Sequence, residues 1–138
     1  MARSKKERRI DRSAKISEAL DKLLVASVQK NKLLAAVLAD LGGLLVASAQ
    51  TQGDGERLAG VVSLVASLRE YLSSYRVLPD LTQAELRAGG KRGMVLWPFE
   101  VQGGAEVVLA ILFEGRAPRK AVSEDIIKGV RRIIKTRQ

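Results

Sequence analysis

Leu33–Ser48 reads LLAAVLADLGGLLVAS, and no other stretch of the chain says as much about its architecture. Leu33–Ala39 is almost wholly apolar and too short for a useful helix, so it reads as a strand buried on both faces. Asp40-Leu41-Gly42-Gly43 supplies turn chemistry, because Asp bonds back to its own backbone and Gly reaches positive φ. Leu44–Gln50 is then the antiparallel partner. Thr51–Gly55 follows as a loop, with Asp54 placed to cap the next helix.

That helix spans Glu56–Tyr75. Leu58, Val61, Val62, Val65, Leu68 and Leu72 line one face, flanked by Leu64, Tyr71 and Tyr75. The opposite arc holds Ala59, Gly60, Ser63, Ala66, Ser67, Glu70 and Ser74. A solvated helix would carry Lys and Glu there. A face that is neither greasy nor charged suggests close approach by another protein; the plainer reading is a helix packed under a loop of its own chain. Tyr71 and Tyr75 serve equally as interface anchors or as core.

Outward from this centre, Ile16, Ala19, Leu20, Leu23, Leu24 and Val28 recur at helical spacing from about Ser13 to Val28, and Gln29–Lys32 is a polar connection. Residues 1–12 form a basic, flexible tail and 13–138 the domain. Leu81–Ala88 alternates, with Ala84, Leu86 and Ala88 facing one way and Glu85 and Arg87 the other, as in a half-exposed edge strand. Gly89-Gly90-Lys91-Arg92-Gly93 is a hairpin turn. Met94–Val101 is a strand in which Pro98 demands a bulge or an unpaired position. Gln102-Gly103-Gly104 turns again, and Val107–Phe113 reads as a central strand. Gly115–Lys120 is a basic loop. The last helix, Ser123–Thr136, buries Val122, Ile126, Ile127, Val130, Ile133 and Ile134. Glu124 and Asp125 begin it and Arg131, Arg132, Lys135 and Arg137 end it, matching the helix dipole. The order α-β-β-α-β-β-β-α describes an α+β domain, an antiparallel sheet with helices on its faces.

Composition removes most chemistry. The 138 residues include no Cys and no His, which excludes disulfides, thiolate or zinc sites and Ser-His-Asp or Cys-His catalysis. The 15 acids are scattered and no carboxylate pair stands out, so a catalytic site is not expected, nor a cofactor. Gly53-Asp54-Gly55 at a helix start is better read as a loop and cap than as a phosphate cradle, since it lacks the P-loop pattern and Asp54 repels phosphate. The net charge of +9 is uneven: residues 1–15 hold seven bases against two acids, +5, and the rest 17 against 13, +4. Those first residues are a solvated tail or are drawn to acidic lipid, nucleic acid or an acidic partner. Aromatics are only 4 %, without the aromatic-basic interleaving that base stacking uses. The start is too charged for a signal peptide, and the apolar run 33–49 is short and broken for a span, so a cytoplasmic protein is expected.

Asp40-x-Gly-Gly-Leu-Leu-Val-Ala-Ser48, followed by a long helix, three strands and a terminal helix, resembles the Roadblock/dynein light chain domain family, over about residues 13–137. The resemblance implies a profilin-like five-stranded fold and a homodimer in which the long helices pack side by side and edge strands pair to extend the sheet. It assigns the helix contact to Gly60, Ser63, Leu64, Ser67, Glu70, Tyr71 and Ser74, and the strand pairing to Thr82, Ala84, Glu85, Leu86 and Arg87. The competing reading of the strand is a monomer whose Glu85 and Arg87 guard against pairing. Several bacterial and archaeal members, the MglB-like type among them, act on small Ras-like GTPases. The implied role is a non-catalytic homodimeric regulator of such a GTPase, through its switch regions. An arginine finger from Arg57 or Arg69 has no specific support in the sequence. The alternatives are a scaffold subunit like dynein light chains, or a basic module for membrane or nucleic acid acting through residues 1–15.

Overall fold

The computed structural model describes residues 5–40, 45–50, 64, 67, 70, 83–88 and 91–137. In chain order these are α1 (Lys5–Asn31), β1 (Ala35–Asp40), β2 (Leu45–Gln50), β3 (Ala84–Ala88), β4 (Arg92–Glu100), β5 (Glu106–Glu114) and α2 (Lys120–Arg137). Leu64, Ser67 and Glu70 are helical as well. The strands form one antiparallel sheet in the order β2-β1-β5-β4-β3, with β5 at its centre, as its continuous apolar run required.

Both sheet faces are buried, and the period-2 alternation sorts the side chains between them. Ala36 and Leu38 of β1, Ala47 and Ala49 of β2, and Val107, Leu109 and Ile111 of β5 join Leu20, Leu24 and Val28 of α1 and Ile126 and Val130 of α2 in one core. Ala35, Val37 and Ala39 meet Met94, Leu96, Val108 and Ala110 on the other face. A leucine sealed like Leu24 or Leu109 contributes about 1.5–3 kcal/mol by leaving water.

α1 and α2 lie side by side on the first face and run antiparallel. α1 ends where β1 begins, and there the Leu34 amide donates to the Leu112 carbonyl (2.9 Å), at the end where β5 leaves for α2. The far part of α2 sits at the opposite end, where Arg131 Nε donates to the Glu100 carbonyl (3.1 Å). Their crossing is close at Gly129: a Cβ there would lie 2.8 Å from a Leu23 methyl, too near for any other residue without repacking. α1 stops with Lys32 in the left-handed region (φ 54°) and the Leu33 amide bonded to the Val28 carbonyl (3.0 Å), a Schellman-type end with an apolar Val28–Leu33 contact.

Several boundaries differ from the sequence expectation. α1 begins at Lys5, eight residues before Ser13, and carries Gln29–Asn31, expected as connection. Asp40 is the last residue of β1, paired with Val107, rather than the first of a turn; 41–44 lie outside the described residues. Arg92 and Gly93 belong to β4 and pair with β5. Of the two places expected for Pro98 the unpaired one holds: it pairs with Val108 in unbroken register, without a bulge, and lies two residues beyond the last β3 partner, Leu96. α2 starts at Lys120, so Glu124 lies a turn inside it and pairs with Lys120 (3.8 Å) instead of facing the helix start. The Gly103-Gly104 turn stands as expected, at φ 95° and 79°.

Candidate protein-protein interface

A sheet of this order has two edges, β2 and β3. They are finished differently. α1 packs over β2, and its Asp21 Oδ1 accepts the Ser48 amide (3.2 Å), so part of that edge is engaged by the chain's own helix. β3 pairs with β4 on one side only, and among the described residues nothing pairs with its other side. Leu86, in the middle of β3, is 38 % exposed, and Glu85 and Arg87 are exposed beside it.

Charged side chains on an edge normally protect it, and the direction of Arg87 decides whether they do so here. Arg87, Gly93 and Phe113 sit in line across β3, β4 and β5. Gly93 has no side chain, and the Phe113 ring lies over it so closely that a Cβ would collide. The Arg87 guanidinium stacks on that ring (5.1 Å to the centroid), donates to the Gly115 carbonyl (2.9 Å) and pairs with Glu85 (3.3 Å). Arg87 is thereby drawn back across its own sheet. Both charges of the strand are occupied with each other, and Leu86 is left as its exposed apolar side chain.

The second exposed element is helical. Leu64, Ser67 and Glu70 recur every third residue, and all three side chains are exposed, Leu64 at 54 %. A leucine, a serine and a glutamate, each at a helical position, are thus presented to solvent. These are three of the seven positions assigned to the helix contact. Gly60, Ser63, Tyr71 and Ser74 lie outside the described residues, as do Arg57, Arg69 and the Gly53–Gly55 loop. Of the strand positions, Ala84, Glu85, Leu86 and Arg87 are in β3, and Thr82 is outside the described residues.

No family model matches this sequence, and no curated protein does. Solved structures do. The chain is similar to MglB in a tetrameric arrangement (TM-score 0.72, 16 % identity, covering 89 % of this chain and 93 % of that one). It is similar to the gliding protein MglB of Thermus thermophilus (TM-score 0.71, 16 % identity, 88 % and 92 % covered). It is also similar to a Roadblock/LC7 domain from Streptomyces avermitilis (TM-score 0.64, 17 % identity, 84 % and 95 % covered). This chain has the Roadblock/LC7 fold.

The Roadblock fold here carries its distinctive features on its surface. Among the described residues no three His, Cys, Asp or Glu side chains gather to hold a metal, and no helix is long and apolar enough to cross a membrane. Sequence reasoning located the exposed strand but missed how its charges are held. By sequence alone Gly93 has the place of a turn residue and Phe113 that of the end of an apolar run. The available signal was a glycine that falls directly opposite an aromatic once β4 and β5 are put in register. Asp21 was equally invisible, because its partner is a backbone amide 27 residues away.

Proposed function

We propose that this Roadblock-fold protein is a non-catalytic homodimeric regulator of a small Ras-like GTPase. The carrying observation is the likeness to MglB structures over 88–89 % of the chain, joined to an exposed helical face and an open sheet edge in one molecule. In the dimer, β3 pairs with β3 of a second copy. The helix bearing Gly60, Ser63, Leu64, Ser67, Glu70, Tyr71 and Ser74 packs against its counterpart, and residues 13–138 form the working domain. The mechanism is docking of the paired helices against the GTPase switch regions. A partner that contacts one switch conformation better than the other shifts the GTPase toward that state, by no more than its difference in affinity for the two. Any faster hydrolysis then comes from ordering the GTPase's own groups.

The test is retention of a co-expressed small GTPase on the immobilised protein, loaded with GDP or with a non-hydrolysable GTP analogue. Retention that differs between the two states is expected, and Gly60→Arg or Ser67→Arg should abolish it or abolish the dimer. Equal retention in both states would support a scaffold role instead, and no retention would contradict both readings.

A further inference from the structure

The charge of the chain is concentrated at one end of the fold, and two separate segments meet to make it so. Residues 5–15 and 126–137 together hold 11 bases and two acids, +9, which equals the net charge of the whole chain, so the remainder sums to zero. These segments are remote in sequence. They come together because α1 and α2 are antiparallel, which places the start of α1 and the end of α2 at the same end of the helical layer.

The bases follow helical rows. On α2, Lys128, Arg131, Arg132 and Lys135 are all exposed and fall within an arc of about 100°, opposite buried Ile126 and Val130. On α1, positions 5, 8, 9, 12 and 15 fall within an arc of about 120°, and Glu7 and Asp11 fall outside it. That arc lies on the same side of the helix as Leu23, whose side chain meets Gly129 of α2. With Leu23 opposite Gly129 in an antiparallel pair, the end of α2 falls level with about Lys15, so the α1 positions carry the basic seam on past the end of α2. α1 is also about 40 Å long while a six-residue strand spans about 20 Å, so the basic start of α1 reaches past the sheet.

We infer that this α1/α2 face docks the protein on an anionic membrane surface. Four to eight bases on a helix at a lipid surface are the usual requirement for holding phosphatidylserine or phosphoinositide headgroups, each base strengthening partitioning about fivefold. Within the α2 arc no apolar residue lies among the bases, so adsorption is by charge rather than insertion. Shape selects a bilayer over nucleic acid. Antiparallel pairing of β3 with β3 has its two-fold axis perpendicular to the sheet, so both helical layers lie on the same side. The dimer then offers a broad basic plate, which a flat surface meets everywhere and a duplex meets along a line. This choice of surface rests on the dimer reading above; the basic seam itself does not.

The probes are vesicles of phosphatidylcholine with and without phosphatidylserine, and a random-sequence DNA duplex, at about 50 and about 500 mM salt. Sedimentation with the phosphatidylserine vesicles alone, lost at high salt, is expected. Lys128→Glu with Lys135→Glu, and separately Arg8→Glu with Arg12→Glu, should each weaken it by about tenfold or more while circular dichroism and light-scattering mass stay unchanged. The second pair keeps the test decisive if the first disturbs α2. Binding to neither probe, equal or tighter binding to the duplex, or vesicle binding indifferent to salt or to both pairs would overturn the inference. Because GTPase retention is read without lipid, failure here and failure of the regulator reading are separate results.

Discussion

β2 and β3 are both sheet edges, and among the described residues the chain's own helix engages part of β2 while nothing bonds along the outer side of β3. β2 lies beneath α1, and Asp21 takes the Ser48 amide. β3 has its two charges tied to each other and to β5, with Leu86 exposed between them. An edge is protected by charges only when they point where an incoming strand would lie. In β3 the glycine at 93 makes room for the Phe113 ring, the ring attracts Arg87, and the potential guard is withdrawn. Net charge on a strand therefore says little about whether its edge is open; the direction of each charge decides.

The largest expected effect comes from placing an unpaired charge on the open edge. Leu86→Glu should turn the dimer into a monomer, weakening association at least about thirtyfold by burying an uncompensated carboxylate, while Leu45→Glu on the β2 edge leaves the mass unchanged. Light scattering over a dilution series reads both. If both variants stay dimeric, the two edges are equivalent and the comparison fails.

Gly93→Val attacks the device that holds Arg87. The new side chain overlaps the Phe113 ring, and the displaced ring and lost stack should cost about 1–3 kcal/mol in urea unfolding. Asp21→Ala should cost about 1 kcal/mol by leaving the Ser48 amide unpaired, and should speed hydrogen exchange at that amide specifically. Arg87→Met is the mildest change. Its ion pair is exposed, so the loss should be about 0.5–1 kcal/mol and should shrink with added salt. A larger cost at Arg87 than at Asp21 would reverse the ranking of the edges.

The sheet was legible in the sequence because its strands obey simple patterns. The continuous run Val107–Phe113 marked the central strand, and the alternation through Ala84–Ala88 marked the edge. Boundaries were less legible where a residue has two uses. Asp40 suits a turn but also ends a strand against Val107, and Pro98 breaks a ladder only if a neighbour is there to need its amide. Lys120 could not be seen as a helix start, since basic residues usually sit at the other end. At the candidate interface the sequence reading reached the exposed faces of Leu64, Ser67, Glu70 and β3. It did not reach the Arg87–Phe113 stack or the Asp21 bond, because both depend on register between distant segments.

In the proposed assembly, two copies joined through β3 and the segment bearing Leu64, Ser67 and Glu70 form a platform for a small GTPase. Light-scattering mass tests it most directly, with the protein alone and then mixed with a small Ras-like GTPase in its GDP and GTP-analogue states. A dimer alone, and a larger complex in one nucleotide state, is the predicted result. A monomer whose mass is unaltered by the GTPase in either state would contradict it.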